Sequence, residues 1–153
     1  ILKLIFRGYK NTIVPQLSIG KICSGRVRGL QPAFLFFSGA ETGGFSAFNS
    51  AIISLTKEEL KKFNFKKGDT EGVVNYALAI KGIKFAVFIA EKEGVVKLSL
   101  RSKGEFKVNE IAKKYFSGGG HINAAGGISE LSVNKTIEKV ISILKEKKTE
   151  LTK

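Results

Sequence analysis

The sequence predicts an α/β (α+β) fold in which helices flank a mixed β-sheet. In some segments apolar residues alternate with polar ones, which is typical of half-buried strands, and in others they recur with the 3.6-residue period of a helix. The 153 residues are 43% hydrophobic and 25% charged, the composition of an ordinary globular domain that is long enough to bury a core. No run of about eighteen apolar residues is present, so we expect no transmembrane helix.

The chain is expected to divide near residue 50. Residues 1–50 contain both prolines and an irregular hydrophobic pattern, and only one strand is predicted there, around Phe34–Phe37. We expect this segment to be a poorly defined linker or a sheet edge, and residues 51–153 to form the folded domain. Because the chain starts with Ile and contains no methionine, we expect it to be a fragment of a longer protein.

From residue 51 onward, short strands and helices are predicted to follow one another. The predicted strands are Ala51–Leu55, Lys84–Ala90 and Val95–Arg101, and the predicted helices run from Thr56 to about Phe63, through Val73–Ile80, over Val108–Phe116 and over Val133–Leu151. Thr56 and Glu59 have the spacing of a capping box, and Ser132 is a candidate N-cap. Residues 91–94 have the length and the glycine of a hairpin loop.

The strand Val95–Arg101 alternates cleanly between apolar and polar residues. Leu98 and Leu100 occupy one set of positions, and Arg101 belongs to the other set. Because successive side chains of a strand point to opposite faces, we expect Arg101 to lie on the face opposite the leucines.

The most informative motif is residues 118–127, Gly-Gly-Gly-His-Ile-Asn-Ala-Ala-Gly-Gly. We expect the three glycines to end the preceding helix and to lead into a short helix over His121–Ala125. A glycine turn before a helix N-terminus presents free amides and a partial positive charge, which suits a phosphate. The alternative is a simple glycine C-cap with the histidine merely nearby.

A phosphate-binding site is predicted from these residues together with the end of the strand. The candidate substrate-binding residues are Arg101, Ser102, Gly118, Gly119, Gly120, His121 and Asn123. Arginine can grip a phosphate with two hydrogen bonds, and histidine can donate another. Ser102 would add a hydroxyl, and Asn123 an amide that can contact a base edge or a sugar hydroxyl. The alternatives are a surface charge for Arg101, a helix cap for Asn123 and a structural role for His121.

Charge and composition restrict the function classes. The net charge of +13 favours an anionic partner such as RNA or a nucleotide, although lysines on solvated helix faces could explain it equally well. One histidine and one cysteine are too few for a tetrahedral zinc site, and a single aspartate is too few for a two-metal hydrolytic centre. We therefore predict no catalytic or metal-binding residues in this chain. The lone Cys23 indicates a reducing, cytoplasmic compartment.

Several of these segments together resemble a known family. The residues Arg101-Ser102-Lys103-Gly104, Val108-Asn109 and Gly118-Gly119-Gly120-His121 are similar to the C-terminal, DHH-associated domain of DHH phosphoesterases. Within that family the similarity is greatest to the oligoribonuclease and phosphoadenosine-phosphate phosphatase branch, also called exopolyphosphatase-related. The resemblance extends over about residues 51–150.

The resemblance implies a division of labour between two domains. A preceding domain with an Asp-His-His motif would hold manganese and hydrolyse the substrate, and the present domain would bind that substrate, so this chain is expected to be inactive alone. The implied substrates are short RNA oligonucleotides or 3′-phosphoadenosine 5′-phosphate. Two alternatives are a non-catalytic RNA-binding module and a phosphohydrolase of cyclic dinucleotides or polyphosphate. The oligomeric state is not predicted.

Overall fold

A single mixed sheet of six strands runs through the residues that the computed structural model describes, namely 34–38, 49–62, 70, 72–79 and 81–152. The strands are β1 (Phe34–Ser38), β2 (Ser50–Leu55), β3 (Phe85–Lys92), β4 (Val95–Ser102), β5 (Gly119–His121) and β6 (Ala124–Ser129). Their spatial order is β1-β2-β3-β4-β6-β5. The strands β2 and β3 pair in parallel, whereas the other neighbours are antiparallel, which confirms the predicted mixed sheet.

Helices cover both faces of the sheet, as the α/β prediction requires. They are α1 (Lys57–Lys62), α2 (Val73–Leu78), α3 (Val108–Tyr115), α4 (Val133–Glu146) and α5 (Lys148–Thr152). On one face, Leu98 and Leu100 of β4 share an apolar core with residues of α3 and α4. On the other face, Phe88 of β3 belongs to a smaller core with α1 and α2. The side chains of β4 alternate between these two faces, and this alternation is the sequence pattern that predicted the strand.

The predicted helix starts are confirmed at two places. The Thr56 amide donates to Glu59 Oε2 over 2.8 Å, and the Glu59 amide donates to Thr56 Oγ1 over 3.3 Å, which is the reciprocal pattern of a capping box. The Ser132 hydroxyl accepts a hydrogen bond from the Lys135 amide at the start of α4. The long closing helix is divided at Lys147 into α4 and α5.

The predicted helix over His121–Ala125 is wrong, because these residues form the hairpin of β5 and β6. Strand β6 lies between β4 and β5 and pairs with both. The ladder bonds on its two sides occupy the backbone groups that a helix would need. Gly120 has a φ of +143°, a conformation that favours glycine and is incompatible with a helix.

Little of the N-terminal segment belongs to the described residues. Strand β1 lies where a strand was predicted, and it pairs antiparallel with β2. Residues 1–33 and 39–48, including Cys23, lie outside the described residues, and the domain division at residue 50 stays a prediction. None of the helices in the described ranges has the length and apolar character needed to cross a membrane.

Candidate phosphate-binding site

Arg101 and His121 lie in one row across three neighbouring strands. Arg101 in β4 pairs with Ala124 in β6, and Ala124 pairs in turn with His121 in β5. Because neighbouring strands are about 4.8 Å apart, the backbones of Arg101 and His121 are separated by about 10 Å. Paired residues of an antiparallel sheet point to the same face. The guanidinium and the imidazole therefore flank the small side chain of Ala124.

This row lies on the sheet face opposite the α3 and α4 core. Leu100 is fully buried on the core side, so its neighbour Arg101 faces the other way. On the Arg101 side, α2 packs against β3 and β4, whereas Gly126 of β6 and His121 of β5 are exposed. A ligand can therefore approach the row from solvent.

The Arg101 side chain is half-buried and held by its own strand. Its Nη1 donates to the Leu100 carbonyl oxygen over 2.9 Å, which restrains a guanidinium that has five N–H donors in all. Within the part of the chain that the structure describes, no carboxylate forms an ion pair with Arg101. A guanidinium that is restrained in this way, and that has no ion pair with a described carboxylate, is well suited to bind a phosphate.

Ser102 and Asn123 hold the end of β4 against the turn between β5 and β6. The Ser102 hydroxyl donates to the Phe106 carbonyl over 2.5 Å and accepts from Asn123 Nδ2 over 2.9 Å. Asn123 Nδ2 also donates to the Gly104 carbonyl over 2.9 Å, and the Ser102 amide donates to the Asn123 carbonyl over 3.1 Å. Ser102 is buried, so its hydroxyl is committed to this network rather than to a ligand.

Three glycines of the motif are required by packing inside the protein. A Cβ on Gly118 would lie 2.6 Å from the Gly127 Cα, and a Cβ on Gly120 would lie 2.7 Å from the Ala125 Cα. A Cβ on Gly127 would lie 2.7 Å from the Phe116 Cβ. Real side chains do not approach so closely, so these glycines allow the β5–β6 hairpin to pack against the end of α3.

Gly119 and Gly126 are not explained in this way. They pair with each other across β5 and β6. The atom nearest to a Cβ added to Gly119 would be Lys113 Cε at 3.9 Å, and the atom nearest to a Cβ added to Gly126 would be the Leu98 carbonyl oxygen at 3.6 Å. Both are ordinary contact distances. The exposed Gly126 therefore keeps the sheet surface beside Arg101 and His121 bare, although the fold would accept a side chain there.

The source of the backbone amides also differs from the prediction. Because no helix begins at His121, the helix N-terminus expected to attract a phosphate is absent from this position. Instead, β5 is the last strand in the described sheet, and the outer side of an edge strand presents unpaired amides. The arrangement thus offers an anion a guanidinium, an imidazole and the outer edge of β5.

A cavity of about 340 Å³ adjoins Arg101 and has no counterpart in the sequence predictions. Strand alternation does place Lys97 on the same face as Arg101. The wall that closes the cavity comes from Thr70, Gly72 and Val74, which are remote in sequence, so the motif pattern contained no signal for it.

The resemblance implies manganese in a preceding domain and no metal site in this chain, and the cofactor stays a prediction. Among the described residues, no three His, Cys, Asp or Glu side chains lie close enough together to hold a metal ion.

Comparison with known proteins identifies relatives of this chain. A bifunctional oligoribonuclease and PAP phosphatase NrnA of Thermus thermophilus is 34% identical over 82 residues, which are 53% of this chain and 24% of the relative. A probable enzyme of the same description from Streptococcus mutans is 36% identical over 90 residues, which are 58% of this chain and 28% of the relative. This chain thus spans about a quarter of the length of these relatives.

A solved structure supports the same relationship. The crystal structure of an exopolyphosphatase-related protein from Bacteroides fragilis is 43% identical, with a TM-score of 0.67, and the match covers 69% of this chain and 31% of that one. The DHHA1 domain family matches residues 48–149, which include the glycine motif, the Arg101–His121 row and every strand except β1. The chain therefore belongs to the DHHA1 domain family.

Proposed function

We propose that this chain is the substrate-binding part of a cytoplasmic, manganese-dependent DHH phosphoesterase that hydrolyses short RNA oligonucleotides, 3′-phosphoadenosine 5′-phosphate, or both. The relatives named above are an oligoribonuclease and PAP phosphatase and a probable one, and this chain contains a DHHA1 domain. The manganese and the hydrolytic residues would belong to a separate Asp-His-His domain. The lone cysteine supports the compartment.

The observation that carries the proposal is the row Arg101–Ala124–His121 on an accessible sheet face. Arg101 would bind two oxygens of a phosphate, and His121 would donate a hydrogen bond to it from the edge strand. The small Ala124 leaves room for the phosphate between them. Ser102 and Asn123 would act as positioning residues, because their hydrogen bonds hold β4 and the β5–β6 turn together.

Fixing one phosphate in this row would orient the rest of the substrate. A substrate held at a defined distance from a reactive centre loses its translational and rotational freedom before the reaction, which is a large part of many rate enhancements. The present residues would contribute this orientation, and the bond cleavage would occur at the other domain. The proposal therefore predicts effects of Arg101 and His121 on substrate capture.

The proposal is tested by binding measurements on the chain itself. Isothermal titration with 3′-phosphoadenosine 5′-phosphate and with a 5′-phosphorylated di-adenylate should show about a 10- to 100-fold weaker Kd for Arg101→Ala, since a charged hydrogen bond contributes about 1.5–3 kcal/mol. His121→Ala should weaken both ligands about tenfold, which corresponds to about 1.4 kcal/mol.

A matched control is Lys145→Ala, which removes an exposed cation from α4 on the opposite side of the sheet. It should change the two affinities less than twofold. Wild-type affinities for Arg101→Ala and His121→Ala, or no measurable binding of either nucleotide by the unaltered chain, would contradict the proposal.

A further inference from the structure

The cavity beside Arg101 opens on the same sheet face as the Arg101–His121 row. Lys97, Ser99 and Arg101 of β4 follow one another along its length, and the residues that precede and begin α2 form the facing wall. Its volume of about 340 Å³ falls within the range of about 300–1,000 Å³ that is usual for small-molecule sites. The cavity therefore shares Arg101 with the proposed phosphate site and is large enough for a further group of the ligand.

Three of the described residues that line the cavity are cationic. Lys92, Lys97 and Arg101 line the cavity, and no described lining residue is acidic. Lys97 pairs with Ala90, and Lys92 follows Ala90 by two positions on the same strand. The two lysines are therefore diagonal neighbours on one face of the sheet, with backbones about 7–8 Å apart. Burial lowers the pKa of Lys92, and the Lys97 ammonium lowers it further, whereas Glu93 acts in the opposite direction. An anion placed between the lysines would relieve this repulsion.

Among the described residues, one carboxylate lies at the rim of the cavity. Glu93 forms an ion pair with Lys97 over 2.5 Å, but the side chains of Glu93 and Lys97 are 80% and 46% exposed. Ion pairs in such exposed positions contribute little free energy because water screens them. A phosphate that enters the cavity can therefore compete with Glu93 for the Lys97 ammonium.

The remaining lining argues for a nucleotide rather than for a bare phosphate chain. Val74, Phe88 and Ala90 present apolar surface to the cavity, and Thr70 and Ser99 present hydroxyls. The Thr70 hydroxyl accepts a hydrogen bond from Lys92 over 3.3 Å. An apolar floor with hydroxyls and cations at its edge matches a sugar and base that carry a phosphate, whereas inorganic polyphosphate has no apolar part to bury.

We propose that this cavity binds the second nucleotide of an oligonucleotide, with Lys97 and Lys92 contacting a phosphate next to the one held by Arg101 and His121. Lys97 and Arg101 are four residues apart on β4, which places their backbones about 13 Å apart at about 3.3 Å per residue. That separation favours two phosphates over one. The inference rests on the proposed function, and it makes the cavity the part of the site that prefers oligonucleotides to single nucleotides.

The experiment compares ligands of different length on one variant. For Lys97→Gln, the Kd of a 5′-phosphorylated tri-adenylate should rise about five- to tenfold, and the slope of log Kd against log salt should fall by about 0.7, as expected for one lost phosphate contact on a single strand. The Kd of adenosine 5′-monophosphate, a single nucleotide with only one phosphate, should change less than twofold. The matched control Lys145→Gln should leave all of these values unchanged.

Three outcomes would overturn the inference. The first is that Lys97→Gln weakens the binding of the single nucleotide and of the tri-adenylate equally. The second is that Lys97→Gln does not weaken the binding of the tri-adenylate. The third is that the Lys145→Gln control weakens the binding of the tri-adenylate as much as Lys97→Gln does. Inorganic polyphosphate that binds as tightly as the tri-adenylate and depends equally on Lys97 would also overturn the assignment to a nucleotide.

The Arg101→Ala variant separates this inference from the function on which it depends. If Arg101→Ala weakens both ligands and Lys97→Gln weakens neither, the second subsite is wrong and the phosphate site stands. If Arg101→Ala leaves the binding of both ligands intact, the proposed function itself is wrong, whatever Lys97→Gln does.

Discussion

At the scale of single residues, the glycines of residues 118–127 differ in what surrounds them. Gly118 and Gly127 are enclosed by backbone and by Phe116, so that a methyl group has no space. Gly126 lies on the accessible face with ordinary distances around an added Cβ. A glycine that the fold does not need, beside a candidate phosphate site, predicts that a ligand approaches the backbone closely at this position.

This difference predicts that alanine lowers the stability of the protein at Gly118 and weakens ligand binding at Gly126. Gly118→Ala should lower the free energy of unfolding by about 1–3 kcal/mol, since an overpacked site forces the backbone to shift. Gly126→Ala should change it by less than about 0.5 kcal/mol, yet weaken the binding of 3′-phosphoadenosine 5′-phosphate at least threefold. Thermal unfolding followed by circular dichroism and titration of the nucleotide measure the two effects. Unchanged nucleotide affinity in a folded Gly126→Ala protein would contradict the binding role of this position.

At the scale of elements, the site depends on how the end of β4 meets the β5–β6 turn. Arg101 belongs to β4 and His121 to β5, with β6 between them. The buried Ser102 hydroxyl and the Asn123 amide connect the two ends of this unit. The network fixes the register that places the guanidinium and the imidazole in one row.

Asn123→Ala should therefore weaken the alignment of Arg101 with His121, although Asn123 belongs to neither strand. The loss of two donated hydrogen bonds should lower the free energy of unfolding by about 1–2 kcal/mol and should accelerate hydrogen exchange at the Ser102 amide, which bonds to the Asn123 carbonyl. Nucleotide affinity should fall several-fold in parallel. Asn134→Ala, an exposed change on α4, serves as the matched control. Faster exchange at Ser102 with wild-type affinity would show that the network stabilises the protein without positioning the site.

At the scale of the whole molecule, the net charge of +13 allows two modes of RNA binding. A local site that contacts one or two phosphates has a shallow salt dependence, whereas a cationic surface that follows a long strand has a steep one. The proposed pocket belongs to the first mode, and the alternative of a non-catalytic RNA-binding module belongs to the second.

Titration with RNA of different lengths distinguishes the two modes. We expect a tetra-adenylate and a 20-residue oligo-adenylate to bind with Kd values within about fivefold of each other, and the slope of log Kd against log salt to stay between about 0.7 and 1.5, at about 0.7 per phosphate contacted. Fluorescence anisotropy at several salt concentrations provides both quantities. A strong preference for the longer RNA with a slope several times larger would favour the RNA-binding module.

Much of the fold was predictable because its signals are local. The alternation in β4, the capping box at Thr56 and the apolar stripe of α4 each depend on neighbouring residues, and the structure confirms all three. The hairpin of β5 and β6 was not predictable in this way. Glycine and alanine carry almost no hydrophobic period, so residues 118–127 contain no pattern that separates a short helix from a strand. The pairing with β4 and the packing against Phe116 decide that they are strands.

The sequence by itself determined which residues are candidates for binding an anion. A single histidine beside a glycine run, an arginine at a strand end and a surplus of cations are sufficient to predict an anion-binding protein, because these properties belong to residues and their near neighbours. Only the tertiary structure decided how these residues are placed relative to one another. It placed Arg101 and His121 two strands apart on one face, turned Ser102 into the interior, and formed a cavity between β4 and the start of α2. Strand order and packing arise from contacts between segments distant in sequence, and no local pattern encodes them.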